Sequence, residues 1–256
     1  MENALLIGLS RQMALSHELD VVANNIANVN TTGFKADNAS FSEFLMTKAR
    51  DNDFGGKDKR LSFVQDRNTW IDLSQGALER TGNPLDVAID GKGYLTVQTP
   101  RGVRYTRNGS LSINATGQLV TSEGDQVIGA AGPITFQVGD HDIAISGSGI
   151  ITARDSTSTD TPRGQLQLAT IDRPQLLQKD GASLFNAPAG VNAGPVTPNT
   201  RVVQGSLEKS NVRAIAAMTR MIEITRSYSD ISAILQQQGD QRRSALQQLS
   251  QPPSSS

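Results

Sequence analysis

The chain has 256 residues, 37% of them hydrophobic and only 4% aromatic, with 23 glycines and 10 prolines; that length holds one large domain or two modest ones, turn-rich and lean in the core. A formal net charge of −1 argues against bulk attraction to nucleic acid or anionic lipid, and no run of about 18 apolar residues offers a membrane span. The absence of cysteine removes disulfides, thiolate catalysis and sulfur-ligated metals, and suits a cytosolic chain as well as an exported one.

Residues 2–29 read as a helix. Leu15, Leu19, Val22, Ile26 and Val29 form a stripe at steps of four and three, and Leu6, Leu9 and Met13 lie on an adjacent face, so the apolar arc is wide. Taken alone, this is the core helix of a globular domain. Its opening, MENALLIGLSRQ, carries an acidic residue where a secretory signal has basic ones, and no cleaved signal peptide is expected. Asn28, Asn30, Thr31, Thr32 and Gly33 then end the helix, being poor helix formers followed by a capping glycine. Phe34, Phe41, Phe44 and Leu45 are scattered anchors, and Lys48–Arg60 (KARDNDFGGKDKR) reads as a solvated linker or loop.

From about residue 61 the pattern turns to strands. Leu85–Ile89 and Gly93–Thr99 alternate, and Thr99-Pro100-Arg101-Gly102 suits a type I hairpin turn. Asn108-Gly109 is the strongest hairpin signal in the chain. Short strands are expected at 110–113, 117–121, 126–128, 133–138, 142–145, 149–153 and 165–171, the spacing of a sandwich or barrel. Ser156–Pro162 reads as a polar loop and Ala187–Pro198 as a connection.

A second helix is expected over 211–238, with Ser210 or Asn211 as its N-cap and fraying beyond Gln236 into a disordered tail, Gln251–Ser256. Ala214, Ala217, Met221, Ile224, Tyr228, Ile231 and Leu235 follow coiled-coil spacing, and Ile215, Met218 and Ile222 widen the stripe. Burying Met221, Ile224, Ile231 and Leu235 contributes about 6–12 kcal/mol. Fixing about 22 backbone residues costs roughly 20–40 kcal/mol, only partly offset by helical hydrogen bonds. The helix therefore needs a long apolar partner, and the N-terminal helix is the candidate. The expected fold class is α+β: long N- and C-terminal helices forming a coiled-coil stem, with a central all-β, sandwich- or barrel-like domain. The expected divisions are residues 1–35 with 207–256 as a terminal helical assembly domain, 36–80 as an extended connector, and 81–206 as the β domain.

Little in the sequence assembles chemistry. His17 and His141 are the only histidines, which makes a zinc site improbable, and no G-x-S-x-G, G-x-G-x-x-G or P-loop occurs. Gly147-Ser148-Gly149 is a loose turn. Asp86 and Asp90, on one face of a strand, admit a carboxylate pair for glycoside hydrolysis, but beside Pro84 and Gly91 they read better as strand-end turn formers. No catalytic residue, cofactor or metal is expected.

Three blocks carry a resemblance. Ala23–Lys35 (ANNIANVNTTGFK) is the first. Gln75–Gly93 (QGALERTGNPLDVAIDGKG) is the second, continued by Tyr94–Ser110 (YLTVQTPRGVRYTRNGS) and Gly117–Thr121 (GQLVT). Gln204–Tyr228 (QGSLEKSNVRAIAAMTRMIEITRSY) is the third. In this order they resemble the bacterial flagellar basal-body rod and hook family. The opening residues and Phe63–Leu73 (FVQDRNTWIDL) are most similar to its proximal-rod members; Lys92 and Tyr94 depart mildly from the usual pattern.

The resemblance implies a structural subunit without catalytic activity, exported largely unfolded through the flagellar type III export apparatus. It implies polymerisation in the periplasm, with copies of itself and other rod subunits, into the hollow basal-body rod that transmits motor torque. It also implies an assembly interface in which Leu15, Leu19, Val22, Ile26 and Val29 face Met221, Ile224, Tyr228, Ile231 and Leu235, within one subunit or between neighbours. Neither nucleic acid nor membrane insertion is implied. A distal-rod or hook subunit is the alternative within the family. Outside it stand a cell-wall glycan hydrolase using Asp86 and Asp90, and a soluble adaptor that does not polymerise.

Overall fold

The computed structural model describes residues 2–46, 61–155, 157–181 and 183–250. The expected linker over Lys48–Arg60 and the tail Gln251–Ser256 lie outside the described residues. The chain divides into two units, one of residues 1–26, 37–70 and 213–256, the other of 27–36 and 71–212.

The first unit carries the helices α1 (Glu2–Ala27) and α2 (Ala214–Ser250), with strands β1 (Asp37–Met46) and β2 (Leu61–Ile71) paired as a two-stranded sheet. These paired strands fall where an extended connector was expected. α1 stops at the Asn- and Thr-rich segment, whose turn is closed by Thr31 N–H donating to the Asn28 carbonyl at 3.2 Å. Asn25, buried near the end of α1, holds the start of β1 from both sides. Its Nδ2 donates to the Asp37 carbonyl at 2.7 Å, and its Oδ1 accepts from the Asp37 amide at 2.9 Å.

α2 begins three residues later than expected and runs on past Gln236 for a total of 37 residues. Gln, Arg, Ala and Leu are good helix formers, and the lone Gly239 costs only about 1 kcal/mol in a helix interior. Thr219, Thr225 and Ser229 return their hydroxyls to the carbonyls of Ile215, Met221 and Thr225, so these side chains leave the helical ladder intact.

The expected coiled-coil stem is not present. The only α-helices among the described residues are α1 and α2, and no continuous interdigitated seam joins them. They touch at separate points. Leu235 lies against Gly8, where an added Cβ would sit 2.7 Å from Cδ2. Gln12 Nε2 donates to Ser232 Oγ at 3.2 Å, and Arg220 pairs with Glu18 at 2.6 Å. Within the stripes only Val22 and Ile224 are fully buried, and Met221, in the middle of one stripe, keeps 36% of its surface exposed. Two of these three contacts join polar or charged side chains, whereas a coiled-coil seam is built of apolar knobs in holes. Heptad spacing placed the apolar residues on the helices, except Val29, which falls in the turn after α1, and it did not supply a continuous cover for them.

The second unit is all β. Its strands are β3 (Leu78–Arg80), β4 (Val87–Asp90), β5 (Tyr94–Thr99), β6 (Gly102–Thr106), β7 (Leu111–Ile113), β8 (Leu119–Thr121) and β9 (Gln126–Gly129). β10 (Gly132–Pro133), β11 (His141–Ile145), β12 (Ile150–Arg154), β13 (Asp160–Gln165) and β14 (Leu168–Ile171) follow. β15 (Gln178–Lys179), β16 (Leu184–Asn186), β17 (Ala193–Pro195), β18 (Arg201–Gln204) and β19 (Ser206–Glu208) complete it.

A ten-stranded sheet runs β15-β16-β6-β5-β9-β8-β7, with β10 on β9 and the β14–β17 pair on β5. β11-β12-β13 form a second sheet, while β18 pairs with β4 and β19 with β3. The last two pairings return the C-terminal end of the body to its start. β5 is the hub: β6 lies along it, β9 pairs at Val97 and Gln98, and β14 pairs at Tyr94 and Leu95.

The hairpin at Thr99-Pro100-Arg101-Gly102 is as expected, with Thr99 paired to Gly102. One core gathers Val87, Ile89, Leu95, Val97, Leu119 and Ile151, among others. A smaller cluster joins Tyr94, Ile171, Leu177 and Phe185, with Phe185 meeting Tyr94 edge to face at 5.7 Å.

Asn108-Gly109 does not make a hairpin, because β6 pairs with β5 and β16 while β7 pairs with β8. Gly109 is instead a crossing point. Its carbonyl accepts from Val87 N–H at 3.0 Å, and a Cβ there would stand 1.7 Å from the Val87 oxygen.

Candidate functional site: helical faces and a buried ion-pair knot

The residues expected to form an assembly interface all belong to described segments. Val22 and Ile224 are buried within the isolated chain; Leu15, Leu19, Ile26, Val29, Tyr228, Ile231 and Leu235 are half-buried, and Met221 is exposed. Leu235 is brought against α1 at Gly8. Much exposed apolar surface on α2 lies on the widening residues, with Ile215 83% exposed and Met218 and Ile222 each more than half exposed; Ile234, outside that set, is more than half exposed as well. On α1, Leu9 and Met13 are exposed as well. Arg220 sits in the same stretch, its guanidinium held above its ordinary pKa by the Glu18 carboxylate, with Glu223 adding to the effect.

Sequence reasoning missed three of the most enclosed charges among the described residues. Lys35, Arg107 and Glu208 are 1%, 6% and 0% exposed. One oxygen of Glu208 accepts from Lys35 Nζ at 2.5 Å and from Gly76 N–H at 2.9 Å, and the other accepts from Arg107 Nη1 at 3.0 Å. Both cations also donate to carbonyls, Lys35 to Ser74 at 2.6 Å and Arg107, through Nη1 and Nη2, to Ile89 and Gly91 at 3.1 and 2.7 Å, while Arg107 Nε is buried without a partner.

Burial pushes the Lys35 ammonium below its ordinary pKa, and the Glu208 carboxylate partly opposes that shift. Arg107 also lies over the Tyr94 ring at 5.2 Å, and burial raises the Tyr94 phenol. Asn211 extends the knot. It is not a helix cap, because its Oδ1 accepts from Ala36 N–H at 2.7 Å and its Nδ2 donates to the Asp72 carbonyl at 2.8 Å. Gly33, at φ +68°, donates its N–H to the Glu208 carbonyl at 2.8 Å, and its Cα is packed on the backbone of Arg107 and Asn108.

Lys35, Arg107 and Glu208 fall one in each of three segments far apart in sequence, residues 27–36, the β6–β7 connection and the end of β19. A charged residue beside turn formers looks like solvated surface, so nothing in spacing or periodicity marks it as core. The one available signal was that each lies inside a block that carried the family resemblance.

The other candidates separate cleanly. Asp86 is buried, with its oxygens taken by Thr81 Oγ1 at 2.7 Å and Asn83 Nδ2 at 2.9 Å, whereas Asp90 is exposed at the end of β4. The two do not form a free carboxylate pair. His141 opens β11 and is exposed. Among the described residues no group of three or more His, Cys, Asp or Glu is placed to hold a metal ion, and no helix is long and apolar enough to cross a membrane.

Three family profiles match along the chain. They are the flagella basal body rod protein over residues 5–35, the flagellar hook protein FlgE/F/G D1 domain over 88–153, and the flagellar basal body rod FlgEFG protein C-terminal region over 203–248. The chain is 36% identical to the flagellar basal-body rod protein FlgF of Caulobacter vibrioides, over 97% of this chain and 98% of that one. It is 34% identical to FlgF of Escherichia coli, over 98% and 99%, and 34% identical to the rod protein FlgG of Agrobacterium fabrum, over 91% and 94%. The family is structural and not enzymatic. Full-length similarity, profiles at both ends and the middle, and a β body tied together by side chains from those same regions converge on one identity: the chain belongs to the flagellar basal-body rod protein family, on its FlgF-like branch.

Proposed function

We propose that this chain is a structural subunit of the flagellar basal-body rod, joining copies of itself and related rod subunits through its terminal helices into the shaft that transmits motor torque. The observation that carries the reading is the unspent apolar surface of α2, from Ile215 through Ile222, in a chain whose full-length relatives are named as rod proteins. Burying a large aliphatic side chain contributes about 1.5–3 kcal/mol, so several per subunit give a neighbour a substantial reward. In this reading Leu15, Leu19, Val22, Ile26, Val29, Met221, Ile224, Tyr228, Ile231 and Leu235 support or form the contact surface. Residues 1–35 and 207–256 serve assembly, and the β body serves as the rigid mount.

The subunit passes through the flagellar type III export apparatus and works in the periplasmic rod, at its proximal part. Similarity to FlgG favours the distal part as the second position, and locating the subunit by electron microscopy of basal bodies decides between them. The decisive variant is Ile231→Asp. It is expected to abolish swimming while the β body keeps its thermal transition, and normal motility of that variant would falsify the reading.

A further inference from the structure

We propose that Asn108-Gly109 is a self-modification site that folding holds closed: in the unfolded chain the Gly109 amide nitrogen attacks the Asn108 carboxamide, and in the folded chain it cannot. The chain contains one Asn-Gly pair, and glycine puts no Cβ beside the attacking nitrogen, so this is the position where the reaction meets least hindrance. The Gly109 nitrogen loses its proton and bonds to Cγ of Asn108, and Nδ2 departs as ammonia, leaving a five-membered succinimide. Water then opens either imide carbonyl. One opening gives aspartate; the other gives isoaspartate, in which Cβ has entered the main chain.

The fold restrains the groups on both sides of the reacting bond. Asn108 Oδ1 accepts from Ser110 N–H at 3.1 Å, closing a local side-chain turn, and Asn108 N–H donates to Thr106 Oγ1 at 3.0 Å. The Gly109 carbonyl is fixed by Val87 N–H at 3.0 Å, and Gly109 itself is buried against that strand. Swinging Cγ onto the Gly109 nitrogen breaks the bond to Ser110 and pulls Gly109 away from β4. On the other side Gly33 is packed so closely that a Cβ on it would lie 2.4 Å from Asn108 N.

The same packing discriminates between the two products. Aspartate leaves the main chain unchanged and keeps an oxygen for Ser110. Isoaspartate lengthens the main chain at a crossing with no space on either side.

The test uses the full chain, incubated folded and in urea at mildly alkaline pH, with the tryptic peptide beginning at Asn108 read by mass spectrometry and by isoaspartyl methylation. Conversion is expected in urea and to be slower by roughly tenfold or more in the folded protein, since it must wait for local opening. After urea is removed, the isoaspartyl fraction should be absent from the refolded pool, whereas Asn108→Asp should refold with the unmodified chain's transition. Equal rates in the two states would overturn the proposal, as would isoaspartyl chains in the refolded pool. Failure of Asn108→Asp to refold would overturn the discrimination between products.

Discussion

In the β unit, Val97 and Ile151 have no exposed surface, and Lys35, Arg107 and Glu208 are enclosed with their partners. In the helical unit, Ile215, Met218 and Ile222 stand open along one helix, and only Val22, Ile224, Ala14 and Asn25 are fully buried among the described residues of its helices. The contrast separates two uses of the same side-chain chemistry. The body spends its apolar area internally and can afford buried charge because each charge is met. The helices hold apolar area in reserve, which is the condition for a surface that orders against something else.

The comparison breaks most visibly at Glu208. Glu208→Ala strands two buried cations, and losing one partner of such a network costs about 3–5 kcal/mol. Denaturant unfolding followed on the β body should show that loss; a change within experimental scatter would mean the knot contributes nothing. A smaller effect on stability, with a large one on function, is expected from Ile222→Asp. As an exposed site it should shift the monomer's stability by only about 0.5 kcal/mol, while rod assembly and swimming fail. A strongly destabilised monomer would show instead that Ile222 is already covered within the chain.

The smallest effect concerns acid. Burial works against the Asp140 carboxylate, but hydrogen bonds from Arg163 and the Gln137 amide, with the Arg163 charge, outweigh it and hold the carboxyl below its usual range. A folded pKa below the unfolded one contributes stability that is present above the unfolded value and is lost as pH falls through the folded one. Asp140→Asn should therefore be less stable than the parent at neutral pH, and the gap should close in the acid range. A gap that stays constant with pH would assign the contribution to shape alone.

Much of this contrast was legible in the sequence, for reasons that differ by element. Helices at both ends follow from apolar spacing, and the Thr99–Gly102 turn follows from proline and glycine at the positions its geometry requires. α2 outruns its expected end because Gly239 and the glutamines, which look like breakers, carry only a weak propensity penalty there. Heptad spacing tells where apolar side chains lie and leaves open what covers them, which is why it does not by itself make a stem. Asn108-Gly109 reports a permissive backbone, and the fold uses that permission for close approach to Val87 rather than for a turn. Lys35, Arg107 and Glu208 were missed because pairing between residues so distant leaves no local trace.

The Lys35–Glu208 contact spans 173 positions, and Gly33 donates to the backbone of the same glutamate. Contacts of such separation are formed late and slowly, since the intervening chain must be gathered before they return any free energy. A ribosome or a narrow conduit that has released only the first two hundred residues is holding a molecule without its keystone. Local hairpins such as β5–β6 need nothing from that far end, but the ion-pair knot can close only once Glu208 has arrived.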